Sequence, residues 1–485
     1  MTQSPLEMLE EARVLAEAGQ PLRALMTYRN LLLLHPESAE AWAEYGTLML
    51  ASGQAEGALV ALSRSLTLLP DGLPALVGSG KACMHLGRWR EAAAHFDQAL
   101  AKDPDQDEVR LELARCLARA GDLDAARAAA AKVVERDPVN AAATRILIDI
   151  LIRQEDWPSL HHEMLRRVTM DHHGVDLAWE RSCVNLLFGI MPEGWDEHES
   201  RLVHPANTTP KRAFARPLWR GESIEGRTLL LHWEQGFGDT LMFVRYAAKA
   251  KRLGARVLLL AQPELADLVA TCPGVDEVIV EGFPLPPFDV HLPLLSLPKL
   301  FRTDLASIPA EMPYLGVPPQ VPNRAGIEAC LAGSEGRTRI GISWVCSRSF
   351  EGAARKSILP ELFQPLDALP EVAWLSLQYG VQEVPPLHDV GDLGSSLSNF
   401  SDTAYAVSRM DLVITIDTAL AHLAGALGIP TLLLLTDIPD WRWLMGREDS
   451  PWYPSMRLYR QRDAKDWASV IQRVLKDLEG GRIAL

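Results

Sequence analysis

Pro36, Pro70, Pro104 and Pro138 recur every 34 residues, and Gly19, Gly53, Gly87, Gly121 and Ala24, Ala58, Ala92, Ala126 keep the same step. Three residue classes locked to one period over four units constrain this chain more than any other feature, because such a period marks stacked repeats. Each unit reads as two helices. The glycine falls at the turn between them, where a positive φ is needed. The alanine faces the partner helix, where only a small side chain lets the two backbones approach. The proline closes the second helix, because it cannot continue the hydrogen-bond ladder. One such pair cannot bury its apolar stripe alone, so the units are expected to stack into a superhelix with a concave groove.

The unit length and the order small–aromatic–proline resemble the tetratricopeptide repeat (TPR). Trp42, Tyr45, Gly46, Ala58 and Pro70 sit at that family's preferred positions, as do Gly80, Ala92, Phe96, Ala99 and Pro104. An α-solenoid is therefore expected over residues 1–171. The landmarks fade after residue 140, although ATRILIDILI and LHHEMLRRV still read as helical. Asn185 to Leu202 reads as one last divergent helical hairpin, and 203–225, rich in Pro, Asn, Thr and Arg, as a linker lying over the next domain. Together they make a 172–225 segment. His161, His162, His172 and His173 have no accompanying carboxylate or cysteine spacing, so solvated helix ends are expected there and no metal.

A length of 485 residues allows two to four domains. The net charge of −15 argues against nonspecific nucleic-acid binding, which needs a basic face. No run of 18 apolar residues suggests a membrane span. The first residues are acidic where a signal peptide needs a basic start. Six scattered cysteines without a C-x-x-C pair fit reduced thiols, and a cytoplasmic location is expected.

From Arg227 the pattern changes to short apolar runs alternating with helical segments. TLLLHW, ARVLLLA, EVIVEG and an edge element in DVHLPLLSLPKL read as a first parallel sheet, in a half spanning 226–322. RIGISWV, VAWLSLQ, DLVITI and TLLLLT read as a second, in a half spanning 323–485. Ligands in such sheets bind beyond the carboxyl ends of the strands.

Four segments there carry candidate chemistry. Glu234-Gln235-Gly236-Phe237-Gly238-Asp239-Thr240 joins a strand to a helix; its glycines, Gly236 and Gly238, let backbone N–H groups approach an anion. It is not G-x-G-x-x-G, so a dinucleotide fingerprint fails. Asp239 reads either as a helix cap or as a general base facing a cleft. Asp417-Thr418-Ala419-Leu420-Ala421-His422 forms a second strand-to-helix corner. There Thr418 can cap the helix and donate to a phosphate, Ala419 permits close approach, and His422 lies one turn on. Ser347, Arg348, Arg355, Lys356 and Ser357 concentrate cations and hydroxyls beyond RIGISWV, while Gln378 closes VAWLSLQ. Asp440 to Trp443 and Ser450 to Pro454 hold many aromatics, which either pack against the other half or stack on a base or sugar.

Residues 226–480 resemble the GT-B glycosyltransferases related to the ADP-heptose lipopolysaccharide heptosyltransferases, through G-F-G-D-T at 236–240 and D-T-A-L-A-H-L-A-G-A-L-G-I-P at 417–430. The whole chain resembles bacterial TPR-glycosyltransferase fusions, some associated with flagellin or other protein glycosylation. The resemblance implies a GT-B fold of two Rossmann-like halves and Asp239 as catalytic base. It implies donor contacts from Lys356, Asp417, Thr418, Ala419 and His422, and Gly236, Gly238, Ser357 and Gln378 are expected to join them. It further implies an inverting transfer with a nucleotide-sugar co-substrate, no metal or other cofactor, and a protein or peptide acceptor in the TPR groove. The alternatives are a non-catalytic scaffold that senses a sugar nucleotide, and an enzyme of surface-carbohydrate assembly. A chain starting near Arg216 is expected to keep donor binding and lose transfer to a protein acceptor.

Overall fold

The computed structural model describes residues 4–481 except 206, 208, 211, 347–352 and 382. Two compact units emerge, Met1–Arg167 and Val168–Leu485.

Twelve helices run through the first part of the chain: α1 (Pro5–Glu17), α2 (Pro21–Leu34), α3 (Ala39–Ala51), α4 (Ala55–Leu68), α5 (Leu73–His85), α6 (Trp89–Lys102), α7 (Asp107–Ala120), α8 (Leu123–Arg136), α9 (Ala141–Gln154), α10 (Trp157–Asp171), α11 (Gly174–Leu187) and α12 (Met191–His198). The periodic residues do what their chemistry demands. Gly19, Gly53, Gly87 and Gly121 take φ of +70°, +79°, +70° and +91° at the turns inside each helix pair. Ala24, Ala58, Ala92 and Ala126 are fully buried. Gly80 lies so close to Phe96 that a Cβ would meet its ring at 2.6 Å. The prolines follow the second helix of each pair.

The second unit holds two sheets. The first contains β1 (Thr228–His232), β2 (Arg256–Ala261), β3 (Glu277–Val280) and β4 (Val290–Pro293), ordered β3-β2-β1-β4. The second contains β5 (Thr338–Ser343), β6 (Val372–Ser376), β7 (Gly391–Asp392), β8 (Leu412–Ile416), β9 (Thr431–Leu435) and β10 (Met456–Arg460), ordered β10-β9-β8-β5-β6-β7. Every pairing between these strands is parallel. Buried on both faces, β1, β2, β8 and β9 are dominated by Leu, Val and Ile, as parallel strands require. Ile340, Trp374, Ile414, Leu432 and the C-terminal helix residues Val470 and Val474 form one core cluster on the second sheet. β7 and β10, which the sequence reading leaves out, are the two edges of that sheet.

Near the end of the 203–225 segment the chain runs along the edge of the first sheet: Leu218 bridges to His291 of β4, and the Trp219 N–H donates to the His291 carbonyl at 2.9 Å. The α11–α12 hairpin belongs to the same compact unit as the sheets. Behind it, the buried Arg201 guanidinium pairs with the equally buried Glu234 at 2.8 Å, just beyond β1.

Candidate active site at two strand-end corners

The strand orders locate the site before any side chain is considered. In the first sheet the chain steps from β1 outward to β2 and β3, then crosses back to β4 on the other side of β1. In the second it steps from β5 to β6 and β7, then crosses back to β8. Ligands bind beyond the strand ends at such reversals. The loop leaving β1 runs from Trp233 to Gly236 into the helix that carries Asp239, and the loop leaving β8 is Asp417–Thr418. Both candidate corners therefore sit at the switch points of their sheets.

The two corners touch. Gly238 opens the short Phe237–Phe243 helix, and a Cβ built on it would lie 2.8 Å from Cδ2 of His422. Glycine is needed here for close approach to an imidazole in the opposite half. The Phe237 and Phe400 rings also meet edge-on across the halves, 5.1 Å between centroids.

Asp239 is buried, and both its oxygens are engaged. Oδ2 accepts the Gly236 N–H at 2.9 Å, so the capping role is filled. Oδ1 accepts from Nη2 of Arg442, which reaches over from the second half. Arg442 Nη1 donates to Asp440 Oδ1 at 2.7 Å, and its backbone N–H donates to the same oxygen at 3.0 Å. Burial works to lower the Arg442 pKa, but Asp239 and Asp440 outweigh it and hold the guanidinium charged. Burial likewise opposes the Asp440 charge, and Arg442 and Lys356 overcome it to hold its carboxyl below the usual range.

In the second half Lys356 pairs with Asp417, two residues ahead of the Ala419–Ala426 helix. Burial disfavours the Lys356 charge, yet Asp417 and then Asp440 raise its pKa. Thr418 is the N-cap of that helix in extended conformation, but its hydroxyl makes no capping bond. The hydroxyl role expected in capping is thus unfilled, which leaves the helix start open to an anion. Ser357 Oγ accepts the Cys346 N–H at 3.1 Å. Gln378 Oε1 accepts from Ser343 Oγ and from the N–H groups of Trp344 and Val345 at 3.0, 3.0 and 2.8 Å, and its Nε2 donates to the Val345 carbonyl at 3.2 Å. Gln378 clamps the chain leaving β5, a positioning role where the sequence reading expects a donor contact. Arg355 lies 3.5 Å from the buried Asp437. Ser347 and Arg348 lie outside the described residues.

His422 is buried, with Nδ1 2.8 Å from the Tyr453 hydroxyl and its ring stacked on Trp443 at 5.1 Å. Burial first, then Arg442, pushes its pKa down to about 3. It is a neutral imidazole forming the floor of the corner. The aromatics of the 441–453 segment are core and not a stacking platform: Trp441, Trp443, Trp452 and Tyr453 are all buried. Trp195 of α12 meets Trp441, Phe243 and Trp452 edge-on at 5.4, 6.3 and 6.4 Å, fastening the hairpin to both sheets. Arg245, buried without a carboxylate partner among the described residues, donates to the Pro309 and Trp452 carbonyls and to the Tyr314 hydroxyl.

Sequence reasoning misses Arg442, Asp440 and Arg245. The signal for the first two was the D-x-R spacing inside a segment weighed only for its aromatics. Among the described residues no cluster of three or more His, Cys, Asp or Glu side chains is placed to hold a metal. No helix among them is long and apolar enough to cross a membrane.

The helical part carries tetratricopeptide repeats: tetratricopeptide-repeat family profiles match residues 9–72 and 84–147. Over most of its length the chain is similar to Protein FlbA of Caulobacter vibrioides, 24% identical over 490 residues that cover 96% of this chain and 71% of that protein. It is also similar to the Protein CTR9 homolog of Arabidopsis thaliana, 32% identical over 125 residues, 26% of this chain and 12% of that one. Among solved structures, the MamA RS-1 ArsTM double mutant superposes with a TM-score of 0.34 at 16% identity, over 36% of this chain and 99% of its own. YrrB, described as a TPR protein with an unusual peptide-binding site, superposes at 0.30 with 15% identity, over 37% and 93%.

Proposed function

We propose that the protein is an inverting glycosyltransferase of the GT-B type, moving a sugar from a nucleotide-sugar donor to a protein or peptide acceptor recruited by the repeats. The observation that carries this reading is the convergence of the two corners: the switch points of two parallel sheets meet at Gly238 and His422, with an acid from one half beside cations of the other. The donor diphosphate lies at the Thr418 helix start, near Lys356 and Arg442. Partial positive charge at a helix start favours such an anion by about 0.3–2 kcal/mol. Fixed cations stabilise the departing diphosphate, the task a metal ion performs elsewhere. Asp239, from the acceptor side, takes the proton of the attacking hydroxyl. TPR grooves bind peptides, which supports a protein acceptor.

Donor turnover, read as nucleotide release with and without EDTA, tests this. Asp239→Asn is expected to lower turnover by about 10²–10⁴ while donor binding persists, and EDTA is expected to change nothing. Complete, metal-reversible loss of turnover contradicts the metal-free mechanism.

One observation favours a second reading. Both Asp239 oxygens are already occupied, as they would be in a non-catalytic scaffold that only senses a sugar nucleotide. That reading expects donor binding without turnover, and an Asp239→Asn protein that behaves like the parent in cells.

A further inference from the structure

Each Asp239 oxygen already accepts one hydrogen bond, so the carboxylate that a general base would use is shared with Arg442. To take a proton it needs an oxygen lone pair facing the acceptor hydroxyl. Oδ2 is held by the Gly236 N–H, and Oδ1 by Arg442. Arg442 is attached asymmetrically. Its backbone N–H and Nη1 are both anchored on Asp440, within its own loop, while only Nη2 crosses to Asp239. The crossing arm is the part free to change partner. The loop that carries Arg442 lies against the Ala419–Ala426 helix, because the next residue, Trp443, stacks on His422 of that helix at 5.1 Å.

We propose that Arg442 is a donor-operated latch on Asp239. This rests on the glycosyltransferase reading and deepens it. A diphosphate arriving at the Thr418 helix start offers the guanidinium a more highly charged, fork-matched partner than a single carboxylate oxygen. Arg442 turns Nη2 to the phosphate, with Asp440 as its pivot, and Oδ1 of Asp239 is released to face the acceptor. The base is then active only when a donor is bound. Donor binds before acceptor, and Arg442 ends on the leaving group, where charge develops. Arg442 is a positioning residue for Asp239 and a binding residue for the diphosphate.

The two carboxylates and the phosphate compete for one cation, which gives a binding signature independent of turnover. Calorimetric titration of the full chain with pyrophosphate, then with ADP, GDP, UDP and CDP, reads it. Asp239→Asn removes the competing charge at constant shape and is expected to tighten diphosphate binding about tenfold. Arg442→Lys is expected to weaken binding about tenfold, since lysine cannot bridge two partners as a fork. In the double variant the Asp239→Asn gain disappears. An Asp239→Asn protein with unchanged affinity overturns the latch, and does so alone if Arg442→Lys does not fold. A gain that persists in the double variant is long-range charge and also overturns it. Failure of pyrophosphate and of all four nucleotides to bind the parent and Asp239→Asn overturns the glycosyltransferase reading, and the latch with it.

Discussion

His422 shows how one residue can be read correctly for position and incompletely for state. The D-T-A-L-A-H spacing places it at the corner, and there it sits. Its depth, under Trp443 and against Tyr453, is set by β9 and the 441–453 loop, which no local pattern reveals. The consequence is a pH dependence. Its folded pKa of about 3 lies below the ordinary value of 6.5. The unfolded chain therefore binds a proton that the folded one does not. The contribution is complete above about pH 6.5 and is lost as the pH falls toward 3, by at most about 1.4 kcal/mol per pH unit. Arg442, Arg245 and Lys356 oppose its protonation and Asp440 favours it. The buried His198 and His232 shift in the same direction. Urea denaturation at pH 7, 6 and 5 is expected to show falling stability, with His422→Phe shallower by about one proton. An unchanged slope in that variant means His422 is not neutral in the fold.

At the scale of elements, the α11–α12 hairpin is the part whose role the sequence least reveals. Its composition marks it as a leftover of the repeats, yet its residues serve the sheets. Trp195 donates Nε1–H to the Thr303 carbonyl at 3.1 Å while touching aromatics from both halves. Trp195→Ala is expected to destabilise the second unit by about 3–5 kcal/mol, the usual range for emptying a large aromatic site. A melting shift confined to a degree or less contradicts that role. Other elements were legible because their physics is local. The 34-residue register needs only glycine at a positive φ, small alanines at helix contacts and proline at helix ends. The apolar strands announce themselves because both faces are covered. The edges β7 and β10 did not, being two residues long in one case and interrupted by arginines in the other. The pairing of Asp239 with Arg442 was equally hidden, because two residues 203 positions apart meet only once both sheets exist.

For the whole molecule, the compact units set where the chain can be divided. A start at Arg216 looks natural from the linker's composition. It removes both Trp195 and Arg201, leaving Glu234 buried without its cation, and breaking such a pair costs about 3–5 kcal/mol. The piece 168–485 is expected to melt cooperatively, and the piece 216–485 to lose its sharp transition in the same calorimetric scan. A cooperative 216–485 piece of equal stability contradicts the assignment of the hairpin to the second unit. The 168–485 piece is therefore the one in which the proposal that the repeats capture an acceptor can be tested.

The central claim is that the paired corners bind the diphosphate of a nucleotide sugar. Thermal denaturation of the full chain against a panel of nucleotide sugars tests it most directly. A ligand held at 100 times its dissociation constant adds about 2.7 kcal/mol of stability. At least one nucleotide sugar is expected to raise the melting temperature of the parent protein, and Lys356→Gln is expected to abolish that shift without lowering the ligand-free melting temperature by more than a few degrees. A panel that leaves the parent unmoved, or a shift that survives intact in Lys356→Gln, contradicts it.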